Sequence, residues 1–340
     1  MHKFMLLLLL IALPAIGQGA TYHVPEDLTS IQAGIDAAQA GDTVMVASGT
    51  YYEHDVQMKS GVALIGMTGV LDDTVINADQ NGSALRCQDC SGETLIKGIV
   101  FTNGLRETGP ENQGGGLHLS RSSARFEDCR IEGNIAGLGG GAWLDGPDAS
   151  PVFLRCTFNW NRAQSGGAVY IGDFVDAGFI ECVFFANLAS GGAAVALANI
   201  GDAAFTNCTF KANTAVYGSV IFGNDELISF EACVLAHNIS HTLFDGSTSP
   251  LLSCCNLFDN SGGDWSGSIA NQFGVNGNFS GEPRFCGGPG GADCTLQSDS
   301  SCAPGNNSCG ILLGAMPVAC ESDGETVVEA TSWSAVKSLY

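Results

Sequence analysis

The 340-residue chain sets 35 Asp and Glu against 13 Lys and Arg, a formal charge of −22. A surface of that sign repels polyphosphate, which excludes nucleic acid as a partner and suits solubility or calcium instead. The 46 glycines are nearly twice the usual share of ~7%, and the length alone fits either two ordinary domains or one long repeat array.

At the N-terminus, Lys3 precedes an unbroken apolar run from Phe4 to Leu13, and small residues follow at Ala15, Gly17, Gly19 and Ala20. That is the pattern of a secretory signal. The run is shorter than the ~20 residues of a membrane-spanning helix, and no later stretch is long enough either. Residues 1–20 are therefore expected to be a signal peptide and the mature protein to be secreted or at the cell surface, with no transmembrane helix. Next, Thr29 and Gln32 of "TSIQ" read as a capping box, and Leu28, Ile31, Ile35 and Ala38 share one helical face up to Gly41. A short helix over about 28–40 is predicted to cover the first coil of a repeat array. Residues 42–51 and 60–66 read as the first strands, and residues 104–113, "GLRETGPENQ", as an inserted loop.

From residue 98 the chain repeats itself. Gly98, Cys129, Cys156, Cys182, Cys208, Cys233 and Cys255 each stand two residues before Val100, Ile131, Phe158, Phe184, Phe210, Leu235 and Leu257. Three residues further on come Asn103, Asn134, Asn161, Asn187, Asn213, Asn238 and Asn260. Glycine follows the cysteine by ten residues at Gly139, Gly166, Gly192 and Gly218. The period, 25 to 27 residues in the best-kept middle, is that of a solenoid. The segments between are short and rich in β-branched and aromatic residues, with no leucine ladder and no helix per repeat. Three strands per coil are expected, "GGAVYI", "AGFIE" and "CTF", which describes an all-β right-handed parallel β-helix. Coils then stack ~4.8 Å apart, so the asparagines form a ladder in a left-handed turn and the paired glycines supply turns closed to other residues.

On these residues the chain resembles the right-handed parallel β-helix proteins of the pectate-lyase-like superfold. Its "FxxN" (Phe158 to Asn161, Phe184 to Asn187, Phe210 to Asn213) paired with "GGAV" (Gly166 to Val169) is similar to the repeat of the polymorphic outer-membrane proteins. The resemblance covers residues 98 to 260 and implies the fold and a surface location. It carries over no catalytic residue, and after residue 260 nothing offers the alternating strands of an autotransporter barrel. The opening "IQAGIDAAQAGDTVMVASGTY" is similar to the N-terminal cap of many secreted β-helix proteins. The β-helix is thus expected over 21–260, a disulfide-rich cap over the far end at 261–320, and an acidic linker and tail at 321–340.

Of fourteen cysteines, the six ladder members would lie ~4.8 Å apart, wider than the ~3.5–4.5 Å between β-carbons that a disulfide needs. They are expected as buried free thiols. The other eight suggest bridges, with Cys87/Cys90, Cys286/Cys294 and Cys302/Cys309 the pairs close enough in sequence to guess. "CQDC" at 87–90 lacks a second ligand pair for zinc. Acidic turns at Asp72/Asp73 and Asp173/Asp176 leave calcium open, but no EF-hand or RTX motif is present, so no cofactor is expected.

For function, the candidates lie on the outer face of the "GGAVYI" strand. His118, Trp143, Tyr170, Ala196 and Phe222 point outward in register, since Val169, Val195 and Ile221 point in. Beside them Asp173, Asn199 and Asp225 form a polar column, with Asp145 close to it. Aromatic faces beside carboxylates suit a sugar chain, so polysaccharide or a cell-surface glycoprotein is the expected partner. The sequence signatures of polygalacturonase-like enzymes and pectin esterases are absent. The first expectation is therefore a non-catalytic adhesion or interaction protein, the second a polysaccharide lyase or hydrolase in which Asp173 and Asp225, two coils apart, are the weak catalytic candidates.

Overall fold

The computed structural model describes residues 19–67, 73–109, 111–198, 201–223, 227–245 and 249–322. Short strands recur once per coil and every long-range strand pair of the coil is parallel, so the chain is an all-β parallel β-helix. Among the described residues the coils build a ten-strand sheet (Thr21–Val24 to Leu251–Ser253), a nine-strand sheet (Gly49–Tyr52 to Asn256–Phe258), a five-strand sheet (Leu105–Arg106 to Thr214–Ala215) and an eight-strand sheet (Val56–Gln57 to Thr242–Asp245). The three expected strands are present. A fourth, typified by Arg162–Ser165, follows the asparagine corner.

Each coil closes on two inward columns of side chains. Phe126, Phe153, Phe179, Phe205 and Phe230 stack along the ten-strand sheet at centroid spacings of 4.9–5.1 Å. Phe158, Phe184 and Phe210 stack along the nine-strand sheet and meet the first column edge-on. Like residues pile up because coils repeat at the strand spacing, where offset-stacked and edge-to-face rings are favourable.

The ladder asparagines turn inward and are buried. Nδ2 of Asn134, Asn161, Asn187, Asn213 and Asn238 each donates to Oδ1 of the asparagine one coil on, at 2.8–3.1 Å. Asp264 ends the column by accepting from Asn260 at 2.8 Å. The left-handed residue is not the asparagine but the one before it, as at Gly133, Trp160, Ala186, Ala212 and His237. The first copy is also displaced by one residue: Ile131 pairs with Phe101 and Arg130 with Val100, and Gly104 takes the place of an asparagine, donating its N–H to Asn134 Oδ1. Of the four ladder glycines, Gly139, Gly166 and Gly192 have positive φ, whereas Gly218 does not.

The N-terminal helix is Ile31–Ala37, capped by Ser30, whose hydroxyl accepts from Ala33 N–H at 3.1 Å; Thr29 and Gln32 do not form the expected capping box. Ile31, Ile35 and Ala38 are buried over the first coil, as the periodicity predicts.

The C-terminal segment departs from expectation. Residues 261–278 cover the far end, with Ile269 in the core and Trp265 packed against it. Residues 279–320 instead fold back along the outside of the nine-strand sheet. Phe285, Leu296 and Leu313 pack on Val183, Phe185, Val234 and Ala236, because those outward positions are apolar rather than polar. Lys211, fully buried, donates to the carbonyls of Gly291 and Asp293 and lies 4.2 Å from the Phe285 ring centroid. Disulfides Cys254–Cys309 and Cys286–Cys320 hold the flap. All three guessed pairs are therefore wrong: Cys87, Cys90, Cys294 and Cys302 are free and buried. The six ladder cysteines are free, as spacing requires, each Sγ lying 3.3–3.6 Å from two backbone carbonyls, as for Cys182 with Phe153 and Ile180.

Candidate functional site

The flap covers part of the nine-strand sheet, and the outer face of the eight-strand sheet stays open with the candidate side chains on it. Strands of four residues or fewer leave one or two outward positions per coil, and parallel pairing puts them in files. The first file is Gln57, Arg86, His118, Trp143, Tyr170, Ala196, Phe222 and Asp245, each paired with the next. The predicted aromatic column is thus in register, interrupted at Ala196, which is fully buried. His118 and Trp143 have ring centroids 4.5 Å apart, and Trp143, Tyr170 and Phe222 are half-buried.

The second outward file places Gln88 beside Ser120 and Ser120 beside Asp145. The next coil presents Gly172 there. Asp145 Oδ1 lies so close over Gly172 that a β-carbon on it would come within 2.3 Å. Asp173 follows and stands one coil from Asp145. Burial, and then the neighbouring Asp173 charge, push the Asp145 carboxyl above its ordinary pKa, against a hydrogen bond from Gly146 N–H. Tyr170 in the first file is raised too, by burial first and by both aspartates after it. Asn199 and Asp225 lie outside the described residues; among the described residues the structure brings Asp145 together with Asp173.

His118 is held neutral. Burial and the Arg86 charge lower its pKa to about 4, opposed by the Gln113 carbonyl, to which Nδ1 donates at 3.3 Å.

The sequence did not single out the groove's two ends. At one, Arg86 continues the His118 file and joins Arg106, Asp55 and Glu111 in ion pairs. The coil holding Arg86 lacks the cysteine–glycine register by which His118 was found. At the edge beside Asp173, Phe174 is 55% exposed with φ +63°, a conformation costly for an aromatic residue. Only its place next to Asp173 hinted at it. A second cleft, of about 320 Å³, lies on the five-strand sheet and is lined by Asn112, Arg162, Gln164 and Ser190 over a floor of alanines. Among the described residues no group of three or more His, Cys, Asp or Glu is placed to hold a metal ion; Asp72 lies outside them.

No family model matches the chain. No curated protein matches it. Solved structures do. A rice weevil pectin methyl esterase is 12% identical over 78% of this chain and 89% of its own, with a TM-score of 0.45. The pectate lyase Pel9A is 13% identical over 89% and 98%, TM-score 0.45, and a carrot pectin methylesterase 11% over 87% and 94%, TM-score 0.43. The likeness is one of coil architecture and assigns no residue.

Proposed function

We propose that the protein is exported and binds an extended polysaccharide along the outer face of the eight-strand sheet, where Asp145 and Asp173 perform acid–base chemistry on it. The observation that carries this is the register-aligned file His118–Trp143–Tyr170 running beside two carboxylates on one open face. Sugar rings offer apolar faces to the aromatics and hydroxyls to the carboxylates. A raised Asp145 keeps its proton nearer neutrality than an ordinary carboxyl, while a charged Asp173 beside it is the source of part of that rise. A carboxyl that holds its proton more tightly than usual, with a second carboxyl beside it, supplies acid–base chemistry to one chain. Asp145 and Asp173 stand on neighbouring coils, which stack ~4.8 Å apart, so both face the same stretch of a bound chain. This is the second of the two functional expectations; no feature of the fold speaks separately for non-catalytic adhesion.

The test is a panel of neutral, esterified and acidic polysaccharides, with binding, new reducing ends, unsaturated products and released methanol read together. A Trp143→Ala, Tyr170→Ala double variant with unchanged melting temperature is expected to lose binding. Asp145→Asn is expected to retain binding and lose turnover. Equal binding by the double variant would remove the groove as the site, and turnover unchanged in Asp145→Asn would remove the chemistry.

A further inference from the structure

The Arg86, Arg106, Asp55 and Glu111 cluster sits at the head of the aromatic file, and its four members are not held alike. Asp55 is anchored: it accepts from Ser83 N–H at 3.3 Å and from Arg106, and Arg86 stands 3.5 Å from the same oxygen. Burial opposes its charge, and the Arg106 hydrogen bond overcomes this, holding its carboxyl below the usual carboxylate range. Glu111 is the reverse. Its side chain is 62% exposed, beyond the Leu105–Arg106 strand that replaces the expected loop at its start, and one oxygen, Oε2, reaches both Arg86 Nη1 at 3.4 Å and Arg106 Nη1 at 3.3 Å. Exposed pairs of this length contribute little to stability. Arg106 Nε is buried with no hydrogen-bond partner, so the cluster has donor capacity that its own carboxylates leave unused.

Two guanidiniums therefore face one fixed carboxylate and one detachable one. Remove Glu111 and Arg86 is left with only its long contact to Asp55. Arg86 is the immediate register neighbour of His118, so the vacated position lies in the same file as the stacking rings. A neutral His118 there adds no positive charge of its own and leaves the arginines as the cationic element.

Resting on the polysaccharide reading above, we infer that Arg86 and Arg106 form a seat for an anionic substituent of the bound glycan, a carboxylate or a sulfate ester, and that Glu111 occupies this seat in the free protein as an internal stand-in. The carboxylate of the loop and that of the ligand compete for the same N–H groups, so binding of an anionic chain displaces Glu111. Guanidinium forks donate paired N–H bonds to either anion in bidentate fashion. The protein's overall acidity does not oppose this at short range, because charges beyond ~8 Å are screened at physiological salt.

The experiment compares oligosaccharides of one backbone in neutral, uronate-bearing and sulfated forms, bound to the parent, Glu111→Gln and Arg86→Gln proteins and followed by calorimetry. Sulfate ion alone is titrated against the parent and Glu111→Gln in parallel, with the His118 ring resonances as the readout. Glu111→Gln is expected to tighten the anionic forms by up to about fivefold, the most an exposed pair of this kind is worth, and to leave the neutral form unchanged. Arg86→Gln is expected to abolish the difference between anionic and neutral forms. The carboxylated and sulfated arms show which anion the seat prefers. Anionic binding unaffected by either substitution overturns the seat while leaving the groove intact. Sulfate shifting His118 more strongly in Glu111→Gln than in the parent, with no glycan bound by any variant, upholds the seat and overturns the polysaccharide reading. No response to sulfate and none to anionic glycan overturns the inference.

Discussion

Asn161 donates Nδ2 to Asn187 Oδ1 at 3.1 Å while its backbone N–H donates to the same oxygen at 3.0 Å, and Asn187 repeats both bonds one coil further on with Asn213. Each amide also reaches back to a carbonyl, that of Phe158 in the case of Asn187. One side chain thus satisfies polar groups in three successive coils. A buried polar column is tolerable only because every member is paired.

Replacing Asn187 by Ala removes the acceptor of Asn161 N–H, one of the two acceptors of Asn161 Nδ2 and the side-chain donor to the Phe158 carbonyl, while Asn213 Oδ1 keeps the residue 187 backbone N–H. With ~1–3 kcal/mol for each buried group left unpaired and partial relief by relaxation, a loss of about 3–5 kcal/mol is expected in urea unfolding. Asn260→Ala, beside the Asp264 terminator, is expected to cost clearly less.

Phe184 lies between Phe158 and Phe210, with centroids 5.2 and 4.5 Å away, in a fully buried column. Phe184→Ala is expected to lose about 3–5 kcal/mol by transfer and cavity terms. Phe174→Ala, which removes an exposed ring from a left-handed residue, is expected to change stability little and to weaken glycan binding. Calorimetry and the binding panel separate the two effects.

Ten cysteines are free and all ten are buried. Thiol titration of the unfolded, unreduced protein is expected to count ten, and of the native protein almost none. Burial pushes the Cys156, Cys208 and Cys255 thiols well up, so they stay protonated and unreactive. Mild reduction opens Cys254–Cys309 and Cys286–Cys320, which is expected to free the 279–320 flap to proteolysis while the coils persist. Coils digested at the same rate as the flap would show that the flap is integral to the solenoid.

His118 links the groove to acid stability. Its folded-state pKa, about 4, lies below the unfolded value of 6.5, so between those values the unfolded chain binds a proton that the folded one refuses. Stability from this residue is complete above pH 6.5 and is lost as pH falls toward 4. At ~1.4 kcal/mol per unit this is at most about 3.5 kcal/mol. His118→Gln is expected to flatten the stability profile in that window, and a His118 resonance titrating near 6.5 would contradict it. Asp145 has the opposite sign. Its raised pKa favours the protonated form, so Asp145→Asn is expected to raise the melting temperature at pH 7 and leave it unchanged at acid pH.

The solenoid was legible because its causes are local and repeated. A β-helix imposes one geometry on every coil, so the Phe158, Phe184 and Phe210 positions, the inward asparagines and the unbridged cysteines recur at a fixed count in the chain. The outward file His118, Trp143, Tyr170 and Phe222 followed from strand alternation applied to that count. Where the period slips, counting fails: Gly98 and Asn103 were placed one residue out, and Arg86 was missed altogether. The left-handed residue was assigned to the asparagine because asparagine favours that region, whereas the stacked amide bonds outweigh that preference and move the turn to the residue before.

Contacts with no period were decided only in three dimensions. Asp55 and Arg106 are 51 residues apart in the chain and Lys211 and Gly291 are 80. Cys254 and Cys309 meet because the flap lies down on an apolar outer face that sequence alternation treats as solvent. Whether a carboxylate stands alone or beside another is likewise a property of the stack, since Asp145 acquires its proton affinity from burial and from Asp173, a residue of the next coil. A repeating sequence determines the coil and which way each side chain points; packing decides which faces stay open and what each outward charge meets there.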